Sequence, residues 1–189
     1  MTLGGGAFLD LVKRIATTCE EQRLLYAFSG ALANAVWGVP RATKDLDLLI
    51  SVPRIALPKT LEALRALGCR GSMEGALKTS IEEHVVRLDY QGLEVEVFLP
   101  SLPYHDEVLR RRIRRDVEGV PAYFVTAEDL VILKFLFHRA KDVADIQTIL
   151  AIQANRLDRG YLSSTLKKLL PPEDPRHQEL LQWLRPPSP

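Results

Sequence analysis

Residues 45–50, Asp-Leu-Asp-Leu-Leu-Ile between Pro40 and Pro53, constrain this chain more than any other segment. Period-two alternation puts Asp45 and Asp47 on one side of an extended strand and Leu46, Leu48 and Ile50 on the other. The apolar side needs a packed core. The acidic side needs water or a counter-cation, so this strand belongs to a sheet buried on at least one face. Just upstream, the apolar run 24–28 ends at Ser29-Gly30, and a helical pattern from Ala31 to Trp37 closes at Gly38. The order strand, turn, helix, acidic strand follows.

The remaining periodicities extend this pattern. Helices are expected over about 7–22 and 57–67, and the alternating runs 84–90 and 93–99 flank Gln91-Gly92, a hairpin signal. From Thr126 onward the pattern is helical over 126–138, 142–152, 161–170 and 176–184, with Thr126-Ala-Glu-Asp129 in the position of a capping box. The expected architecture is α/β (α+β): a mixed sheet core flanked by helices over 1–125, a helical layer over 126–185 packed on that core, and a disordered Pro-rich tail over 186–189.

Composition narrows the class. Across 189 residues, 25 Lys+Arg against 24 Asp+Glu leave a formal charge of +1, which is unlike a polycation that holds nucleic acid by bulk charge. Cys19 and Cys69 have no nearby Cys or His at metal-ligand spacing, so neither a disulfide framework nor a zinc site is indicated. The N-terminal stretch lacks the apolar run of a signal peptide, and no 18-residue apolar span occurs. A cytoplasmic protein without a membrane partner is expected.

The chemistry-bearing residues begin with the acidic pair. Two carboxylates about 7 Å apart on one strand face suit a hard divalent cation that takes oxygen ligands. A merely solvated acidic face would leave their mutual repulsion without a stabilising reason. In the second hairpin strand, Glu94, Glu96 and Phe98 oppose Leu93, Val95, Val97 and Leu99. Glu96 is the preferred third ligand and Asp89 its competitor; an exposed face is the alternative for both. Arg110, Arg111, Arg112, Arg114 and Arg115 form the one strongly basic cluster. It reads either as a landing surface for RNA phosphates or as a solvated segment balanced by Asp106, Glu107, Asp116 and Glu118. If one helix ran through Ala144, Lys134, His138, Lys141, Asp142 and Asp145 would share a polar stripe, with Leu130, Leu133 and Phe137 towards the other side. Asp145 would then pair with Lys141 across one turn. The four histidines, Trp37 and Trp183 read as surface or packing residues.

Taken together, Ser29-Gly30, the helix ending Trp37-Gly38, Arg41-x-Thr43-x-Asp45-Leu-Asp47, and Lys134-x4-Arg139-x2-Asp142-x2-Asp145-Ile resemble the DNA polymerase β-type nucleotidyltransferase superfamily. Within it, the similarity is to the branch of minimal nucleotidyltransferases and abortive-infection (AbiEii) toxins, over about residues 24–150. The resemblance implies an enzyme that moves a nucleoside monophosphate from an NTP to an acceptor and releases pyrophosphate. Asp45, Asp47 and Glu96 would hold two Mg²⁺ ions. Ser29, Gly30, Arg41, Thr43, Lys134 and Arg139 would contact the nucleotide, and Asp142 would position or deprotonate the acceptor; Arg41 could instead steady Asp45. An RNA (tRNA) or protein acceptor and a cognate antitoxin are the implied partners. Two departures stand out: the turn is Ser-Gly where many members have Gly-Gly or Gly-Ser, and Glu96 stands where Asp is common. A small-molecule, antibiotic-type nucleotidyltransferase and a degenerate nucleotide- or partner-binding module are the alternatives.

Overall fold

The computed structural model describes residues 5–184, and these divide into two compact units: residues 5–36 with 40–126, and residues 37–39 with 127–184. The tail expected over 186–189 lies outside the described residues.

The first unit is an α/β structure in the order α1 (Gly5–Glu21), β1 (Leu25–Phe28), α2 (Gly30–Trp37), β2 (Asp45–Ser51), a 3-10 turn, α3 (Leu57–Ala66), α4 (Met73–Glu82), β3 (Val85–Tyr90), β4 (Leu93–Phe98), α5 (Pro103–Arg111), β5 (Ile113–Val117) and β6 (Val120–Phe124). Its six strands make one mixed sheet ordered β3-β4-β2-β1-β6-β5. The β1–β2, β3–β4 and β5–β6 pairs are antiparallel, while β2–β4 and β1–β6 are parallel. Leu46, Leu48, Ile50, Val95, Val97, Phe28 and Phe124 are fully enclosed, as the alternation requires. Each contributes roughly 1.5–3 kcal/mol of burial. The amphipathic α1 presents Leu11, Val12 and Ile15 to the interior and lies against β1, β6 and α3.

Gln91 and Gly92 both have positive φ, 55° and 85°, which is the two-residue hairpin turn that Gln-Gly signalled. The turn closes the register so that Arg87 faces Glu96 and Asp89 faces Glu94.

The second unit holds α6 (Ala127–Phe137), α7 (Ala140–Gln153), α8 (Arg159–Leu169) and α9 (Arg176–Trp183), with the end of α2 tied to it by a 2.8 Å bond from Gln153 Nε2 to the Trp37 carbonyl. One continuous helix through Ala144 does not form. His138 takes φ 53°, α6 stops at Phe137, and Arg139 starts α7 with its amide donating to Asp142 Oδ2 at 3.2 Å. The stripe is therefore folded back on itself. Lys134 turns inward at 5% exposure while Phe137 stands 62% exposed, with the Arg139 guanidinium 5.2 Å over its ring. Leu130 is enclosed as expected, so the departure is confined to Lys134 and Phe137, which exchange their expected environments. Asp145 does not pair with Lys141: it accepts from Lys134 Nζ at 2.7 Å. Arg176 closes α6 from below the bend, donating to the Phe135 and Leu136 carbonyls at 3.3 and 3.2 Å while Asp174 grips its other side at 2.7 Å.

Candidate active site

The bend after β1 and the acidic strand are one structural object. The Ser29 amide donates to the Asp47 carbonyl at 3.0 Å, and the Ser29 carbonyl accepts from Ala33 as α2 begins. Gly30 has φ +57°, and a Cβ placed on it would overlap the Asp47 carboxylate, which packs directly over the glycine. Thr43 organises the entry to β2: its hydroxyl accepts from the Asp45 amide at 3.1 Å and lies 3.2 Å from the Asp45 carbonyl. Arg41 is exposed, with Nη1 3.5 Å from the Ala42 carbonyl. Asp45 and Asp47 are both half-buried, and their neighbours on the core face are fully enclosed.

The parallel pairing of β2 and β4 extends the acidic surface. Asp45 stands beside Glu94 and Asp47 beside Glu96, so four carboxylates share one sheet face at strand spacings of about 4.8 Å. Like charges placed directly across from each other destabilise a sheet. Arg87 answers them from β3: Nε donates to Glu96 at 3.0 Å and lies 3.8 Å from Glu94, and Nη1 donates to Glu83 at 2.8 Å. Among the described residues no set of three or more His, Cys, Asp or Glu side chains converges to hold a metal. Glu96, the preferred third acid, is directed to Arg87. Its competitor Asp89 sits one strand further from β2 and accepts from the Gly92 amide at 3.1 Å. The donor chemistry of Asp45, Asp47 and Glu96 is nonetheless all oxygen and all anionic, which fits Mg²⁺.

The helical unit gathers the second group. Lys134, Asp142 and Asp145 are buried, none of them more than 5% exposed. Lys134 Nζ lies 2.7 Å from Asp145 and 3.9 Å from Asp142. Asp142 in turn accepts from Arg139 Nε at 2.6 Å and Nη2 at 3.3 Å. Two cations thus alternate with two buried acids, and every charge has an opposite neighbour, the condition for keeping such groups out of water. Buried Asp129 is held by the Tyr161 hydroxyl at 2.7 Å. The thiols take no part in either group: burial pushes Cys19 up to about 12 and Cys69 up to about 11, far from the thiolate form at neutral pH.

No protein-family model and no curated protein matches the sequence. Solved structures match the fold. The antibiotic-resistance factor ANT(2'')-Ia superposes with a TM-score of 0.62 at 13% identity, covering 88% of this chain and 92% of its own. A nucleotidyltransferase-like protein from Paracoccidioides brasiliensis gives 0.58 at 17% identity over 97% and 94%. The lincosamide adenylyltransferase LnuA gives 0.53 at 11% identity over 76% and 96%.

This chain has the nucleotidyltransferase fold.

In that fold the arginine cluster spans the end of α5 and the edge strand β5. Arg110 and Arg111 end α5, Arg112 follows it, and Arg114 and Arg115 lie on β5 at the sheet edge. Arg112 donates to the Leu109 carbonyl at 2.7 Å and stacks 4.6 Å over Tyr123, which Arg114 approaches at 5.9 Å. Arg114 also lies 3.9 Å from Glu20. Among the described residues of this nucleotidyltransferase fold, no helix is long and apolar enough to cross a membrane.

Two partnerships lie outside the expectations drawn from sequence. That of Arg87 was recoverable, because a two-residue turn at Gln91-Gly92 dictates that residues 87 and 96 face each other. The Lys134–Asp145 contact was not, because it depends on the bend at His138.

Proposed function

We propose that this chain is a metal-dependent nucleotidyltransferase. The observation that carries the reading is the packing of the Asp47 carboxylate against Gly30 at the start of α2. It makes a phosphate-accepting bend and a cation-accepting strand a single rigid element. A triphosphate seated over Ser29-Gly30 would meet the Ser29 hydroxyl and the amides that open α2, where the helix dipole favours anions; the Ser29 amide itself is taken by Asp47. Asp45, Asp47 and Glu96 are the residues that would hold Mg²⁺, which when bound supplies Lewis-acid stabilisation of charge on the phosphates. The acceptor hydroxyl gives its proton to solvent as its oxygen bonds to the α-phosphorus, the bond from that phosphorus to the bridging oxygen of the β-phosphate breaks, and pyrophosphate leaves with the electron pair. In this reading Arg41 and Thr43 border the nucleotide, and Thr43 fixes the approach of Asp45.

Lys134, Arg139 and Asp142 are assigned to the same reaction. Asp142 is enclosed and doubly held by Arg139, which favours the positioning role over that of a proton acceptor, with Arg139, the half-exposed member of the cluster, as the proposed phosphate contact. Lys134, buried against Asp145, supports that arrangement from within.

The favoured acceptor is RNA, met by the arginines between Arg110 and Arg115, in a toxin-like enzyme restrained by an antitoxin protein. A second reading, transfer to a small-molecule hydroxyl, is favoured by the likeness to ANT(2'')-Ia and LnuA. Incubating the chain with Mg²⁺, α-labelled NTPs and tRNA, lysate protein or aminoglycosides in parallel separates them. Label in tRNA is expected, and the Asp45→Ala/Asp47→Ala variant should show none. Label in the drug would select the second reading. NTP binding without transfer in any arm would leave a degenerate nucleotide-binding module.

The arginines give a separate expectation. Replacing Arg110, Arg114 and Arg115 by Ala should lower the slope of log RNA affinity against log salt by about two to three. Arg112 is left in place because it caps α5 and packs on Tyr123. An unchanged slope would remove RNA from this surface.

A further inference from the structure

We propose that Arg87 is a positioning residue that holds the Glu96 carboxylate as a substitute for a divalent cation, so that cation binding at Asp45 and Asp47 proceeds by exchange of partners at Glu96. The inference rests on the metal-dependent reading above and adds to it a residue outside the resemblance.

The order β3-β4-β2 places Glu96 between a cation and an anion: Arg87 is its register partner on one side and Asp47 on the other. Without a divalent cation, repulsion from Asp47 and attraction to Arg87 act in the same direction. The 3.0 Å bond from Arg87 Nε to Glu96 Oε1 is the result. It also explains why the acids of this face do not converge. A dication between Asp47 and Glu96 reverses both forces.

The exchange is cheap for three reasons. Glu96 is 21% and Arg87 46% exposed at the side chain, so their attraction is weakened by water. Arg87 keeps a second carboxylate, Glu83 at 2.8 Å, when Glu96 departs, and so is never left unpaired. Glutamate has one more rotatable bond than aspartate, so its carboxylate can swing between neighbours by a side-chain rotamer change while β4 stays fixed. An aspartate at 96 would have a shorter reach toward either partner.

The test is a Mn²⁺ titration of the full chain without nucleotide, read by the electron paramagnetic resonance of free Mn²⁺, with circular dichroism confirming each fold. Arg87→Gln should tighten the Asp45/Asp47-dependent Mn²⁺ site by about fivefold, the equivalent of one exposed ion pair. In a Glu96→Gln background the same substitution should change affinity less than about twofold. Arg87→Lys, which keeps the charge, should stay close to the wild type. Unchanged or weaker binding in Arg87→Gln, or a gain that survives in Glu96→Gln, would overturn the exchange and leave only a field effect of the arginine. If no Mn²⁺ binding depends on Asp45 and Asp47, the metal-dependent reading falls with it; if such binding is present and indifferent to Arg87, this inference alone falls.

Discussion

Gly30→Ala is expected to lose nucleotidyl transfer by 100-fold or more and to destabilise the sheet unit by about 2–5 kcal/mol. Two costs combine. At φ +57° a non-glycine residue pays roughly 1–2 kcal/mol of backbone strain. The added methyl would also overlap the Asp47 carboxylate, and displacing packed atoms costs roughly a further 1–3 kcal/mol. That displacement moves a proposed cation ligand, and a misplacement of about 1 Å lowers rate about 100-fold. Gly119→Ala is the control: Gly119 has φ +82° with nothing within 4 Å of the place its methyl would take, so it carries strain without overlap. Urea unfolding of both variants, with label transfer measured beside it, separates the two costs. Equal destabilisation of the two would mean that Asp47 does not press on the bend.

Lys134→Met should destabilise the helical unit by about 3–5 kcal/mol, because it removes the ammonium 2.7 Å from the Asp145 carboxylate in a position only 5% exposed. Adding Asp145→Leu should recover most of that loss, since an apolar pair of similar volume often replaces a buried ion pair at little cost. Asp142 stays balanced in the double variant, since Arg139 Nε and Nη2 both donate to it. The readout is again urea unfolding, with the coupling taken from the full double-mutant cycle. A single-variant cost below about 1 kcal/mol would mean that the Asp145 carboxylate is satisfied without Lys134. Stability and transfer should also part company here: the double variant is expected to fold while remaining impaired in transfer, because the support behind Arg139 has been rebuilt without its charge.

How far each feature is legible in the sequence varies with the range over which it is decided. The acidic strand is legible because alternation is local, and β2 runs from Asp45 to Ser51 with its leucines inside. The second hairpin is legible for the same reason, with its turn at Gln91-Gly92. By contrast, β5 and β6 leave no clear periodic trace, whereas α5 carries a helical one, with Tyr104, Val108 and Leu109 on its buried face, that the expected helices do not include. β5 carries Arg114, Arg115 and Asp116 among its five residues and is exposed on a sheet edge, so no core selects an alternating pattern in it. β6 contains Pro121, which reads as a strand breaker except where no ladder donor is needed. The helical stripe misleads for another reason. A 3.6-residue period assumes a straight helix, and one left-handed residue at His138 is enough to turn it back.

By itself the sequence determined which side chains share a strand face and where the Ser29-Gly30 bend falls, since both follow from backbone geometry over a few bonds. Only the tertiary structure decided that β4 lies parallel beside β2, that Asp47 rests on Gly30, and that Lys134 meets Asp145 inside. Those contacts join residues 11 to 49 positions apart. Their choice depends on how apolar faces from separate segments close over one another, a balance of burial and charge that no local pattern encodes.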